Sequence, residues 1–465
     1  MPDTRSEEIT EGPLGRVLAV LAAPMLVQNL VLVGQQVVDV FWVGRLGGDA
    51  VAAVGLIVPV IALLTFGTWV AGSGAQVIIS QRVGASDTTG ARRAAVHAIG
   101  VVVAVNLPLA VVVWFTARPL VGLLDPGPTV AALAAAYLAV LGFSRVTAGV
   151  SDVIEKCYFG AGDSRTPMAL NVTAILVNVG LDPVFIFGWG PAPGLGIEGA
   201  ALATLTGYGV SAVAGLLLLF SRWTGFSLRL SAVRPDRETL GELLRVGLPS
   251  GGQSAGRQIA RVVVVWIVSV AGGGAALAAY TIGARVASVV FVPAQAVGSA
   301  ATTVVGQNLG ADRPDRASKA TWLGVGAGAV GLGALGIVQW LFPATLARLF
   351  VPEIGAETLQ FTVAYLQILA YGYWALGTIY TVEAGFDGAG RTEISMYATM
   401  LQYWTVRVPI AAAGAFLLGL GALGPFWAVT ISNVVAAVGL TGYFWHSTDT
   451  GMLERAAEEA GTAAD

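Results

Sequence analysis

Long apolar runs, broken by short clusters of glycine, proline and charge, constrain this chain more than any other feature. Twelve such runs can be marked, at roughly 15–44, 50–81, 93–116, 128–160, 166–188, 196–221, 243–271, 275–307, 318–343, 356–386, 393–418 and 422–446. A helix crosses the hydrocarbon core of a bilayer in about 20 apolar residues, and a barrel strand in about 9–11. In lipid, backbone polar groups are satisfied only in helices or closed barrels. These runs are too long and too continuous for barrel strands. The expected fold class is an all-α polytopic membrane protein with twelve transmembrane helices. Only 11% of residues are charged, against about 25% in soluble domains.

An even number of spans puts both termini on one side. Sixteen Lys and Arg, among them Arg16, Arg82, Arg165, Arg222, Arg229, Arg234 and Arg391, fall on the terminal side, and only Arg45, Arg118 and Arg348 on the other. This bias predicts a cell-membrane protein with both termini cytoplasmic. The longest polar connection, Arg222–Arg245, lies midway along the chain.

The two halves repeat one another. Ala23-Pro24-Met25-Leu26-Val27-Gln28 aligns with Leu248-Pro249-Ser250-Gly251-Gly252-Gln253, and Gly160-Ala161-Gly162 with Gly388-Ala389-Gly390. Glu155 meets Glu383 in the same frame. The expected division is a six-helix lobe over 1–221, a cytoplasmic linker over 222–242, and a second six-helix lobe with a polar tail over 243–465. Repeats with an even number of spans share one orientation, about an axis along the membrane normal, and such architecture places a substrate path between the halves.

Several classes are disfavoured. No basic patch suggests nucleic acid. His97 and His446 lie far apart, Cys157 is the only cysteine, and no Cys/His cluster supports a transition-metal site. No nucleophile–base constellation supports a membrane-embedded enzyme, and twelve non-identical helices give little basis for a pore. The acidic start Met1–Glu11 is unlike the basic start of a signal peptide, so the first run is expected to be a retained helix.

Asp39 is alone in the run from Val17 to Val43. A carboxylate at membrane depth costs at least ~2.5 kcal/mol on insertion scales and commonly marks an ion or substrate path. We read Asp39 as the proton or cation switch of a transporter, its structural alternative being a pair with a buried arginine. Asn178 and Asp182 share a helix face at i and i+4. Pro183 follows and breaks the local backbone ladder.

Pro24, Gln28 and Asp39 on the first helix form one motif. Gly160-Ala161-Gly162-Asp163-Ser164-Arg165-Thr166-Pro167-Met168 is a second. Asn178-Val179-Gly180-Leu181-Asp182-Pro183 and Gly199-Ala200-Ala201-Leu202-Ala203-Thr204 complete the set. In this order, over the whole chain, they resemble the multidrug and toxic compound extrusion (MATE) family, closest in pattern to its archaeal and DNA-damage-inducible-type branch.

The resemblance implies two pseudo-symmetric six-helix lobes in a V, and export of amphiphilic, often cationic, organic compounds in exchange for H⁺ or Na⁺. It implies a first-lobe cation site at Asp39, Asn178, Asp182 and Thr204, and a hinge at Pro24. Asp152 is either a member of that network or a partner of Arg145. Lys156 is placed to neutralise Glu155. Gln35, Glu383, Tyr380 and Arg257 are candidate cavity residues. Glu383 either faces the cavity or pairs with Arg407 or Arg257, and Asp387 is expected to be solvated. Arg257, with Arg261 after it, stands where other branches of the family carry an acid, which disfavours coupling from the second lobe. No cofactor beyond the coupling ion is expected, and the working unit is expected to be a monomer surrounded by membrane lipid. The alternative is a flippase for lipid-linked oligosaccharide or related lipid precursors, which Arg257, Arg261 and Arg407 would suit.

Overall fold

The computed structural model describes residues 3–124, 127–190, 193–221 and 236–462. Most of the expected linker, 222–235 with Arg222, Arg229 and Arg234, lies outside the described residues. Every regular element among the described residues is helical. Eight helices are long and apolar enough to cross a membrane by length and composition.

A short helix α1 (Asp3–Glu11) precedes α2 (Leu14–Gly44), which continues through Pro24. Next come α3 (Gly48–Leu64), α4 (Phe66–Gly84), α5 (Thr88–Gly122), α6 (Pro128–Gly160), α7 (Arg165–Phe187) and α8 (Ile197–Phe220). The second half opens with α9 (Arg237–Gly310), broken at Gly273, where φ is 64° and ψ −162°. Glycine adopts this left-handed φ without the steric cost that a Cβ would bring, so one long element serves as two spans.

Then follow α10 (Pro314–Leu341), α11 (Pro343–Phe350), α12 (Ala356–Ala370), α13 (Tyr373–Gly388) and α14 (Thr392–Met400). A π-helical turn at Leu401–Arg407 leads through α15 (Val408–Ala412) to a second one at Ala413–Leu417. The chain closes with α16 (Leu423–Asp449) and α17 (Met452–Thr462).

Three expected runs are divided. The run 50–81 breaks at Thr65, whose Oγ1 donates to the Ala62 carbonyl at 2.8 Å, a local bond that competes with the helical ladder. The run 356–386 breaks at Tyr371–Gly372. There a Cβ on Gly372 would stand 3.2 Å from Thr430 Cγ2, so the glycine lets two helices approach. The run 393–418 carries both π-helical turns.

By its contacts the chain forms two compact units: one takes Pro24–Gly251, the other Glu7–Ala23 with Gly252 onward. Both boundaries fall within helices, at Pro24 in α2 and just after Pro249 in α9. In the first unit α6 is central and packs against α3, α4, α5, α7 and α8, around residues such as Ile78, Ile154 and Leu219. In the second, α13 packs on α10 and α16. Tyr365 sits in its core, 5.2 Å from Tyr280 and 4.4 Å from Phe426 between ring centroids.

The repeat survives in backbone detail. Among the described residues, Ser86 and Asp312 are the non-glycine residues with positive φ, at 61° and 56°, and they are 312 − 86 = 226 positions apart. Gly162 and Gly390, both in left-handed turns at 83° and 73°, are 390 − 162 = 228 apart.

Candidate functional site

Two i, i+4 pairs meet in the first unit: Gln35 and Asp39 on α2, Asn178 and Asp182 on α7. Asn178 and Asp182 are 1% and 2% exposed, whereas Asp39 is half-buried. The side-chain amides of Gln35 and Asn178 approach to 2.6 Å. With Nδ2 turned toward Asp39, Asn178 donates to Asp39 Oδ1 at 3.2 Å and accepts from the Thr204 backbone N–H at 3.1 Å. The carboxyl groups of Asp39 and Asp182 stand within electrostatic reach of one another. Asp182 Oδ2 is buried without a partner among the described residues. Two neighbouring carboxylates disfavour each other's ionised form.

Close packing fixes this geometry. A Cβ on Gly207 of α8 would stand 2.5 Å from the Ala174 carbonyl and 3.0 Å from Asn178 Cβ. Glycine thus sets the distance between α7 and α8, and with it the Asn178–Thr204 contact. Trp42 on α2 meets Phe187 and Trp189 edge to face, each with centroids 5.9 Å apart. Tyr137 on α6 lies within electrostatic reach of Asp39 and Asp182. Sequence reasoning did not single it out, and one phenol in an apolar run gives no signal of its own.

Asp152 is not bonded into this group. Half-buried on α6, it makes no hydrogen bond or ion pair among the described residues and stands within electrostatic reach of Glu155, Arg145 and Lys156. Lys156 does not pair with Glu155. Its Nζ donates to Gln76 Oε1 at 3.0 Å and lies 5.7 Å from the Phe159 ring centroid.

Glu155 belongs to a second arrangement. It accepts from Gln28 Nε2 at 2.6 Å and from Asn171 Nδ2 at 3.2 Å. All three are buried. The second unit repeats this clasp: Glu383 accepts from Gln253 Nε2 at 3.0 Å and from Thr399 Oγ1 at 3.2 Å. Gln28/Gln253, Glu155/Glu383 and Asn171/Thr399 are 225, 228 and 228 positions apart. Glu383 is thus held by neutral donors, and neither Arg257 nor Arg407 is within ion-pair distance of it. Tyr380 and Arg257 are half-buried in the same unit. Asp387 is half-buried rather than solvated and accepts from Ser395 Oγ at 2.7 Å.

The MatE family profile matches residues 24–184 and 249–413, two blocks that open on Pro24 and Pro249 and together exceed half the chain. The chain belongs to the MatE family. This MatE protein is a multi-pass membrane transporter, not an enzyme. It is similar to a probable multidrug resistance protein NorM of Pseudomonas aeruginosa, 29% identical over 450 residues, 95% of this chain and 91% of that one. The FAD transporter of Shewanella oneidensis is 26% identical over 433 residues, 92% of this chain and 94% of that one. A solved MOP superfamily transporter from Pyrococcus furiosus, described by the reverse polarity of its binding pocket, matches at TM-score 0.89. It is 26% identical, covering 96% of this MatE chain and 98% of that one.

Proposed function

We propose that this transporter exports amphiphilic organic compounds in exchange for H⁺ or Na⁺, multidrug resistance being the activity for which its relatives are named. The convergence of Gln35, Asp39 and Thr204 on Asn178, one turn from Asp182, carries the reading. In it, Asp39 and Asp182 load one proton or one sodium ion from outside. Gln35 and Asn178 orient the carboxyls, and the Thr204 hydroxyl and the carbonyl freed by Pro183 supply neutral oxygens that suit Na⁺. Loading bends or relaxes α2 at Pro24 and discharges the substrate outward. The substrate site opens to one side of the membrane at a time. The positive-inside bias supports cytoplasmic termini in the cell membrane.

Dye efflux from proteoliposomes, under pH and Na⁺ gradients imposed separately, tests the reading. Asp39→Asn removes the charge that exchanges with the ion, so gradient-driven efflux should fall to the protein-free background while the protein still inserts and melts normally. Efflux at wild-type rate from that variant would remove Asp39 from coupling.

A further inference from the structure

The second unit holds arginines, Arg407 buried and Arg257 half-buried, where the first holds acids. Arg257 is at the centre of the apolar run 243–271, and Arg407 closes the π-helical turn Leu401–Arg407 within the run 393–418. Arg407 is 6% exposed. Its Nε donates to Ser432 Oγ at 2.8 Å and its Nη2 to Asn433 Oδ1 at 2.6 Å. Its guanidinium carbon lies 3.9 Å from the Tyr403 ring centroid. All three partners are neutral.

Arg257 leaves Nε buried without a partner. Among the described residues neither arginine has a carboxylate within 4.0 Å. Glu383 lies within electrostatic reach of Arg257, but its hydrogen bonds go to Gln253 and Thr399. Charges inside a membrane protein are expected to pair or to mark a substrate path. Here protein acids do not supply the pairing.

Local structure focuses this charge. A π-helical turn is rare, occurs often at functional sites, and here carries Tyr403 and Arg407 together. Trp404 Nε1 of the same turn donates to the Gly256 carbonyl at 3.2 Å, joining the turn to α9 one residue before Arg257. Arginine pairs with carboxylate and phosphate through a fixed fork of donors, and its planar face stacks on rings.

We propose that Arg257, Arg407 and Tyr403 form a binding site for a carboxylate or phosphate group carried on a planar, amphiphilic body. The inference rests on the export reading only in taking this ligand to be a transported substrate. Two sources share the chemistry: a free aromatic acid, and a lipid-borne phosphate.

Fluorescence polarisation on the purified full-length protein tests the site. Three probes are used: carboxyfluorescein as aromatic anion, a fluorescent short-chain phosphatidic acid as lipid-borne anion, and ethidium as cation. The wild type should bind one or both anions, and which one binds identifies the source. Arg407→Gln and Arg257→Gln should each weaken anion binding about tenfold more than ethidium binding, because truncating a charged contact lowers affinity by at least that much. Arg407→Lys, which keeps the charge but not the fork or the stacked plane, should lose less than Arg407→Gln.

Equal losses for anion and cation would overturn the proposal, as would an Arg407→Lys variant of normal melting temperature that behaves like Arg407→Gln. A wild type that exports ethidium from proteoliposomes but binds neither anion would overturn the anion site and leave the export reading intact. Anion binding with no export of any probe would sink the export reading and leave the site standing.

Discussion

The two halves of the chain use one frame for opposite charges. Each holds the helix that carries its hinge-position proline by the same clasp, Gln28–Glu155–Asn171 in one and Gln253–Glu383–Thr399 in the other. Each turns its chain with positive φ at matching places. Beyond that frame they diverge. The positions that would repeat Asn178 and Asp182 at an offset of 228 are Val406 and Ile410, and Arg407 stands between them. Where the first half has an amide and a carboxyl, the second has apolar residues, with a buried arginine between them. What two copies share after such divergence is therefore architecture, and what differs between them is where specific chemistry should be sought.

The largest expected effects separate the halves by charge. Asp182→Asn leaves Asp39 without its acidic neighbour and should reduce gradient-driven efflux roughly a hundredfold, within the range by which one positioned proton-transfer group alters a rate. Efflux rates under an imposed pH gradient measure this. A loss as large from a neutral substitution at Ile410 would break the comparison, since it would place coupling in both halves.

The shared clasp should be felt in both halves, more strongly in the first. Glu155→Ala strands Gln28, a buried amide whose Nε2 donates to Glu155. After Glu383→Ala, Gln253 still donates to Thr399 Oγ1 at 2.9 Å and to the Ser395 carbonyl at 3.3 Å. A buried polar group left unsatisfied costs about 1–3 kcal/mol. Both variants should lower the melting temperature in detergent, Glu155→Ala by more. A larger loss from Glu383→Ala would show that the second clasp carries more of the packing than its hydrogen bonds imply.

Much of this was legible in the sequence, and the unread part has physical causes. The spans follow from hydropathy, and the grouping of Asp39, Asn178, Asp182 and Thr204 from the resemblance to the family. The clasps were half legible: both glutamines and both glutamates aligned in the repeat. Nothing in one dimension joins Gln28 to Glu155 across 127 positions, because the contact depends on which faces of α2 and α6 meet. The arginines themselves stood out in the sequence, but the placing of Tyr403 against Arg407 did not. Composition gave no sign of the π-helical turns, and a π turn rotates every later side chain relative to α-helical spacing. Lys156 appeared to be the partner of Glu155, but consecutive residues point to different faces of a helix, and Gln76 takes its ammonium instead.

A smaller effect sharpens the contrast in packing. Gly207→Ala drives a methyl against the Ala174 carbonyl beside Asn178. Overpacking of this kind costs about 1–3 kcal/mol, so thermal stability and efflux should fall together. Its counterpart at an offset of 228 is Val435, 49% exposed. Val435→Ala should be nearly silent in the same measurements, within about 0.5 kcal/mol. A large loss there would mean that the second half also depends on close helix approach at this position.

The smallest effect lies outside the membrane, where each half has an acid just before its first long helix. Asp236 precedes α9 and Glu11 precedes α2, 236 − 11 = 225 positions apart. Asp236 caps α9: its Oδ2 accepts from Thr239 Oγ1 at 2.7 Å and its Oδ1 from the Glu238 N–H at 3.1 Å, with Arg93 3.9 Å away. The Thr239 hydroxyl, helped by backbone N–H groups and Arg93, holds this carboxyl below its usual range. Its contribution is therefore complete above the ordinary carboxylate value of about 3.9 and is lost as pH falls through the depressed folded value. Glu11 forms a surface pair with Arg313 at 2.8 Å, 62% exposed on the acid side. Asp236→Ala should cost about 1 kcal/mol near neutral pH, as loss of a helix cap does, with the penalty vanishing under strongly acidic conditions. Glu11→Ala should cost less, since exposed ion pairs contribute about 0–1 kcal/mol, and added salt should erase it. Melting curves against pH and ionic strength distinguish the two, and equal, salt-sensitive losses would mean that Asp236 acts through Arg93 rather than as a cap.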